Sequence, residues 1–594
     1  MSRAQRNVAA IFIVLASLLG AAGCVTVPTT GPIEPVEGQQ PGCQNCVNVE
    51  VAPPAVGAEP REIVEGYLRA TSNYQPNYSV ARQFLTRMAA EKWSPEAGVS
   101  IYRGSPVAAG EKVTFDGTLV GSLAGDRTYT AGDEPFRWNF GLHKEQDGEW
   151  RIDNPPPGLM VDEFWFKSFY QPYDVYFVGN GRSLVPDRIY LPALSNPANV
   201  ASALMKALLD GPSRWLKPAV SSAIPPNTSL SVDSVTITDD GMAEVPLSDS
   251  VLALTDPQRS LLAAQIVYTL RQIGGVKGVL IKANQQPYRV PGSDPNTLAI
   301  SVDAIPRDLD PIPFVASEQL YAVQERLVAQ VTTTSDTPAV TKLQGPLGER
   351  DYAINALAVS VTDTDIAITT NDQTMLRRAP IATVEPTQPS ILLRGKSDLL
   401  RPQFTRYGEL WVIGREGNRQ RIWMFAADEE EPVVIESPGL GDQGVKAFKI
   451  SPDGTRMALI RRTETGDDVL QLAQIIRSDT ITVGHWRTLH TTQTNMSAIR
   501  RIQDVAWLDA TELLVLGAPH PAATMLAPFR VVEDASRITP HGDPQDWRAA
   551  ELTVLPRTQS AIIVDRTVPG RTWKYDGNQW LSFVNKVSTA AYPG

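Results

Sequence analysis

The stretch Ala447-Phe448-Lys449-Ile450-Ser451-Pro452-Asp453-Gly454, followed by Met457-Ala458-Leu459-Ile460, decides the fold of the largest domain of the chain. Residues 447–450 form a strand-like run. Pro452 and Gly454 then stand where a tight turn favours them. A second apolar run occupies residues 457–460. The stretch therefore predicts two strands joined by a short turn.

The same pattern recurs between residue 313 and the end of the chain. Strand-like runs around Leu357, Phe404, Ile450, Val505 and Leu552 stand 47, 46, 55 and 47 residues apart. Each run leads through a turn to a second apolar strand, at residues 366–368, 410–413, 457–460, 513–516 and 561–564. A period near ~40–50 residues with several strands per unit is typical of a β-propeller. We predict an all-β propeller of five or six blades over residues 313–594.

One segment at the start of this region has two interpretations. The apolar residues of 317–331 also fit a helix: Leu320, Val323, Leu327 and Val331. We favour two strands that turn at Glu325 and Arg326 and complete the first or the last blade.

Residues 172–305 carry hairpin and helix signals that predict an α+β domain. One helix ends at Asp210-Gly211-Pro212, because Gly after the last turn followed by Pro stops a helix. A second helix starts at Asp256-Pro257. Hairpin turns are predicted at Asn180-Gly181 and around Asp239-Asp240-Gly241.

Four segments of this domain closely resemble the GerMN domain: Leu209–Pro212, Ala223–Pro226, Asp240–Val245 and Ala264–Leu270. GerMN domains occur in sporulation and cell-envelope lipoproteins. The resemblance implies an α+β module without established catalytic residues.

Residues 59–170 also predict an α+β domain. Glu59-Pro60 opens a helix, since Pro is favoured at the first helical position. Alternating apolar residues follow, with hairpin turns predicted at Asp116-Gly117 and Asp147-Gly148. Helices followed by a meandering antiparallel sheet resemble the NTF2-like group, which implies a binding or structural module.

The chain begins with an export signal. Arg3 and Arg6 precede 13 apolar or small residues, Val8 to Gly20, which is shorter than the ~20 residues of a membrane-spanning helix. Ala21-Ala22-Gly23-Cys24 resembles the lipobox of bacterial lipoproteins, although Ala21 stands where Leu is usual. The alternative is an ordinary signal peptide with an incidental cysteine. We predict that residues 1–23 are removed and that Cys24 becomes an S-diacylglycerol and N-acyl cysteine. It would anchor the protein on the extracytoplasmic face of the plasma membrane.

Two proline-rich segments separate the domains: a tether at 24–58 and a linker at 306–312. The tether contains a C-x-x-C pair, Cys43 and Cys46. A redox or metal site is one interpretation, but no second C-x-x-C or His pair completes a zinc site. We favour a local disulfide formed after export.

The remaining sequence gives no signal of catalysis or of nucleic-acid binding. The net charge is −11 without a basic cluster, which disfavours nucleic acid. None of the five histidines belongs to a metal pattern, and serine-acylation motifs are missing. Residues 439–444 match G-x-G-x-x-G, but a strand and a turn follow them instead of a helix. The acidic run at residues 428–431 predicts a solvent-exposed loop. We predict a protein that is not an enzyme, with no catalytic residue, cofactor or metal site.

This combination of anchor, tether, GerMN-like domain and terminal propeller resembles the LpqB family of actinobacterial lipoproteins. The resemblance implies an accessory of the MtrA–MtrB two-component system that contacts the exported domain of the sensor histidine kinase. Two alternatives stay open: a module that binds envelope glycan or a small ligand, and, less favoured, an uncharacterised propeller enzyme.

Replacing Cys24 with Ala tests the anchor. We expect the Cys24→Ala protein to leave the membrane fraction or to accumulate uncleaved, because the lipid attachment point is lost. Membrane fractionation with mass determination of the mature N-terminus measures both outcomes. Normal cleavage with full membrane retention would contradict lipidation at Cys24.

Overall fold

A computed structural model describes residues 51–594, except 180–182, 334–337, 383–387, 443, 492–497, 546, 548–549 and 567–569. The described domains belong to one compact unit, residues 46–594. Two α+β domains precede a large all-β region, so the predicted multidomain class is confirmed. The residue limits predicted for the domains stay predictions.

The N-terminal domain packs short helices on an open sheet of order β3-β2-β1-β6, in which β6 runs parallel to β1. Pro60 begins the first helix as predicted, and Glu59 and Glu62 cap it reciprocally. The resemblance to NTF2-like domains stays a prediction. The elements are α1 (Pro60–Ser72), α2 (Ser79–Gln83), α3 (Arg87–Lys92), β1 (Val99–Ala109), β2 (Lys112–Leu123), β3 (Tyr129–Asn139), β4 (Leu142–Lys144), β5 (Trp150–Ile152), β6 (Leu159–Asp162) and α4 (Glu163–Phe169).

One of the two hairpin turns predicted here is wrong. Asp147-Gly148 joins β4 to β5 as expected, but Asp116-Gly117 lies inside β2, and the chain turns at 110–111 instead. The glycine has a different role. A Cβ at Gly117 would lie 2.4 Å from the carbonyl oxygen of Arg103 on β1, so the close approach of the two strands requires glycine.

The second domain confirms both predicted helices and the hairpin around 239–241. The Asn180-Gly181 turn lies outside the described residues, although the strands that flank it pair antiparallel. The elements are β7 (Tyr170–Gly179), β8 (Leu184–Pro192), α5 (Pro197–Asp210), β9 (Val220–Ser221), β10 (Thr236–Ile237), β11 (Met242–Leu247), α6 (Asp256–Leu270), β12 (Gly278–Ala283), β13 (Gln286–Pro287) and β14 (Ile300–Ser301).

The C-terminal region is a propeller in which the described chain forms six four-stranded sheets. All five strands predicted to start a repeat are first strands of a blade. The elements are β15 (Leu320–Gln324), β16 (Leu327–Val331), β17 (Val340–Lys342), α7 (Pro346–Glu349), β18 (Ile354–Val359), β19 (Asp365–Thr370), β20 (Leu376–Pro380), β21 (Ser390–Leu393), β22 (Gln403–Phe404), β23 (Leu410–Glu416), β24 (Arg419–Phe425), β25 (Val433–Ile435), β26 (Val445–Ile450), β27 (Arg456–Arg462), β28 (Asp468–Arg477), β29 (Ile481–Thr488), β30 (Arg501–Trp507), β31 (Glu512–Ala518), β32 (Ala527–Val532), β33 (Ile538–Pro540), β34 (Ala550–Leu555), β35 (Ser560–Asp565), β36 (Arg571–Tyr575), β37 (Trp580–Asn585) and β38 (Val587–Ala591).

The first blade is built from both ends of the propeller sequence. β15 and β16 turn at Glu325 and Arg326, whose φ angles of 50° and 74° fit a tight hairpin turn. The two-strand interpretation of 317–331 is therefore confirmed. The last strand of the chain, β38, pairs with β15 and completes this blade. The ring is thus closed by main-chain hydrogen bonds between residues far apart in sequence.

Removing residues 587–594 tests this closure. The truncated protein should lose the cooperative unfolding of the propeller, because β38 completes the first blade and the removed segment contains buried Val587, Ala590 and Tyr592. Thermal denaturation followed by circular dichroism measures the change, with removal of Gly594 alone as the control. Equal midpoints for both truncations would contradict the closing role of β38.

Candidate functional site

A groove on the N-terminal domain lies where the described chain begins. Its volume is about 440 Å³, and we name it the tether-side groove. It is lined by residues 51–55 and by Ala58, Glu62, Ile63, Glu65, Gly66, Arg69, Asn73, Phe84 and Trp165. Chain entering from the tether forms one wall, and α1 forms another.

Glycine and aromatic residues shape this groove. A Cβ at Gly66 would lie 2.4 Å from the ring of Phe84, so only glycine lets that ring pack against α1. Trp165 stacks on Phe169 with ring centroids 4.6 Å apart. Phe164 and Val56 are next in sequence to the lining residues Trp165 and Ala55, and they keep 70% and 94% of their surface exposed. Exposed apolar residues beside a concave surface are typical of an interaction site.

A second feature, which we name the interdomain clamp, is a buried charge cluster in the propeller. Arg456 is fully buried in β27 and forms ion pairs with Asp453 and Glu533. Two hydroxyl groups donate to the main-chain carbonyl of Asp453: Ser183 of the second domain at 3.0 Å and Tyr407 at 2.9 Å. The turn predicted at 451–454 is therefore one of the points where the second domain contacts the propeller.

Within the clamp, the pKa values of Asp453 and Glu533 are shifted in opposite directions. Arg456 and the hydrogen bonds from Thr455 hold the pKa of Asp453 below its usual value despite burial. Burial raises the pKa of Glu533 to about 7, because desolvation outweighs the attraction of Arg456 and Arg487. Asp453 thus carries the stronger negative charge of the pair.

Tyr190 on β8 contacts all three domains. Its hydroxyl donates to Asp534 at 2.9 Å and lies 2.5 Å from the hydroxyl of Ser536, both in the propeller. Its ring lies 5.4 Å from that of Phe166 and 5.8 Å from that of Tyr129, both in the N-terminal domain. The side chain of Tyr190 therefore connects the N-terminal domain to the propeller.

The linker closes one end of the propeller channel. Arg406 donates to the carbonyl oxygens of Asp310 at 2.7 Å and Asp308 at 2.8 Å. Arg557 donates to the carbonyl of Ile312, and its guanidinium lies 3.5 Å from the ring centroid of Phe314. Only about 60 Å³ of space is left beneath this segment. The linker that the prolines predicted is thus held against the propeller by arginines.

The other end of the channel holds a cavity of about 200 Å³ with charged walls. Arg401 pairs with Glu551 at 2.7 Å and with Asp504 at 3.2 Å. Arg566 pairs with the second oxygen of Glu551 at 2.6 Å. Lys449 also lines this cavity. We name these five residues the channel charge cluster.

The residues singled out by sequence have varied outcomes. Cys24, Cys43 and Cys46 lie outside the described residues, so lipidation and the disulfide stay predictions. The 439–444 loop leads into β26, and no helix follows it. Within the described chain, no group of His, Cys, Asp and Glu residues is arranged to hold a metal ion. None of the described helices is long and apolar enough to cross a membrane.

Sequence reasoning missed the clamp and the channel charge cluster. Arg456 and Glu533 stand 77 residues apart, and Ser183 and Asp453 stand 270 apart. No local pattern marks such pairs. The one available signal was the repeat itself, because it places equivalent strand ends around a common axis.

Two α+β domains followed by a six-bladed propeller define a class of multidomain, propeller-ended proteins. The family described as Lipoprotein LpqB, N-terminal domain, matches residues 53–167, and the LpqB β-propeller domain matches 326–593. Between them, the family described as sporulation and spore germination matches 174–289.

Curated relatives agree over almost the whole length. Lipoprotein LpqB of Cutibacterium acnes is 26% identical and that of Streptomyces coelicolor 25%, each with 96% of both chains covered. The Thermobifida fusca relative is 25% identical over 88% of this chain and 89% of its own. The chain belongs to the lipoprotein LpqB family.

Replacing Arg456 with Met tests the clamp. The substitution leaves two buried carboxylates without their cation, which should cost about 3–5 kcal/mol of unfolding free energy. Chemical denaturation followed by tryptophan fluorescence measures the loss, since Arg456 lies 5.2 Å from the Trp507 ring.

The matched variant combines Arg456→Met with Asp453→Asn and Glu533→Gln. It should recover most of the loss, because neutral side chains are cheaper to bury than charges. A triple variant as unstable as the single one would show that packing, and not charge, explains the effect.

Proposed function

We propose that the protein is a membrane-anchored, extracytoplasmic accessory of a two-component system. In this proposal it binds the exported domain of an MtrB-like sensor histidine kinase and changes kinase output without catalysing a reaction. The observation that carries the proposal is the tether-side groove, an apolar surface on the domain next to the membrane anchor.

The anchor supports this proposal through confinement. Cys24 would carry acyl chains on both sulfur and nitrogen, and stable anchoring takes more than one chain. The tether 24–58 then gives reach without fixing orientation, at ~3.3 Å per extended residue. Confinement to the surface from which a sensor projects raises effective concentration, so a modest interface would be occupied.

The groove supports recognition of an apolar segment of the sensor. Trp165 provides an aromatic wall, and Phe164, whose ring centroid lies 6.5 Å from that of Trp165, offers exposed apolar surface beside it. Aromatic residues that become buried at the centre of an interface commonly dominate binding energy. Glu62 and Arg69 on α1 add charges of both signs that can select the register of the bound segment.

The interdomain contacts support a role for the whole body in this action. Binding changes a kinase only if it favours one sensor state over the other. Tyr190 and the clamp fix the propeller relative to the groove-bearing domain. A sensor bound in the groove would therefore have the second domain and the propeller beside it at a defined position. Their bulk can exclude one conformation of the sensor.

Replacing Phe164 with Asp tests the groove. Phe164 is 70% exposed, so the fold should be retained. Binding of the purified sensor exported domain should weaken by about 1 kcal/mol or more, because a charge replaces an exposed aromatic side chain beside Trp165. Biolayer interferometry with vesicle-anchored protein measures the affinity, and phosphorylation of the response regulator in cells measures output.

The control is Val107→Asp, which adds the same charge at an apolar residue of β1 that is 54% exposed and has no groove-lining residue beside it in sequence. This variant should bind as the parent does. Equal losses in both variants, or no binding by the parent protein, would overturn the proposal.

A further inference from the structure

Lys449 is a cation without a partner inside the propeller. It is half-buried on β26 and lines both the 200 Å³ cavity and the small space beneath the linker. Within the described residues, no carboxylate or carbonyl accepts a hydrogen bond from its ammonium group. A channel-facing ammonium without an acceptor is unfavourable, because burial removes water that would otherwise solvate it.

The acids nearby are already matched by arginines. Glu551 uses one oxygen for Arg401 and the other for Arg566. Asp504 accepts from Arg401 and from the main-chain nitrogen of Leu552 at 2.8 Å. The two acids of the channel charge cluster are therefore engaged with its two arginines, and the charge of Lys449 is left in excess.

Neutral donors stand beside this excess charge. Gln373 and Gln503 also line the same cavity, and each carries a side-chain amide. An amide can donate two hydrogen bonds to an oxygen ligand. A cavity with one unmatched ammonium and amide donors has the chemistry of an oxyanion site.

We propose that the propeller channel binds an oxyanion, the phosphate or carboxylate group of a small molecule, through Lys449. The linker closes the channel behind the site, so the ligand enters from the opposite face. There the cavity adjoins a second depression of about 540 Å³, with Asn355 and Arg566 lining both. A molecule larger than its anionic group can therefore extend onto that face.

The state of Lys449 gives the site a pH dependence. Burial, and then the charge of Arg401, lower the pKa of Lys449 to about 8, and Asp504 and Glu551 oppose this shift. The other charged groups lining the cavity are Arg566 and Lys446, and Lys446 pairs with Asp468. Binding of an oxyanion requires the protonated ammonium, so affinity should fall as the pH rises through about 8.

Isothermal titration calorimetry on residues 25–594 tests the proposal, with inorganic phosphate and malonate as separate probes. At pH 7 at least one probe should bind saturably at one site. Lys449→Met should weaken binding about tenfold or more, since a charge-assisted hydrogen bond is lost. The control Lys112→Met, at an exposed lysine of the N-terminal domain, should bind as the parent does.

Comparison of the two probes distinguishes a phosphate from a carboxylate ligand. Titration of the parent protein at pH 9 provides a measurement that does not depend on a variant, and it should show weaker binding than at pH 7. Absence of saturable binding by both probes, or equal binding by the parent and Lys449→Met proteins, would overturn the oxyanion site. Neither result depends on the sensor, so the two proposals fail separately.

Discussion

One buried guanidinium holds the parts of this protein in register. Arg456 is removed from water together with Asp453 and Glu533, and such a cluster is tolerated only when its geometry satisfies every charge. The Asp453 side chain accepts from Ser451 and Thr455, so the turn at 451–454 is fixed. Because the turn is fixed, the main-chain carbonyl of Asp453 can accept a hydrogen bond from Ser183 of the second domain, which contacts the propeller there.

Other contacts extend from the Ser183–Asp453 hydrogen bond to the N-terminal domain and to the linker. Tyr190 carries the connection on to the N-terminal domain, and the linker is held over the channel by Arg406 and Arg557. The tether-side groove and the channel charge cluster thus belong to one connected body. A protein partner and a small oxyanion would occupy separate surfaces of it, which allows each to be tested without the other.

Local signals predicted elements well where neighbouring residues decide the structure. Pro60 and Asp256-Pro257 marked helix starts, and the runs around Leu357 and Leu552 marked inner strands of blades. The failure at Asp116-Gly117 has a physical cause. Gly117 allows β2 to lie close to Arg103 on the neighbouring strand. In the sequence, a glycine required by such a strand contact looks the same as a glycine required by a turn.

By itself the sequence predicted an export signal, and it determined the order of the domains and the repeat, because each depends on composition or spacing along the chain. Only the tertiary structure decided that the described chain forms six blades, since β38 completes a sheet begun more than two hundred residues earlier. It also decided which charges are matched. Arg456 pairs with Glu533, which is 77 residues away in sequence, whereas no residue of the described chain accepts a hydrogen bond from Lys449. This difference depends on which groups the fold brings together, so the sequence does not show it.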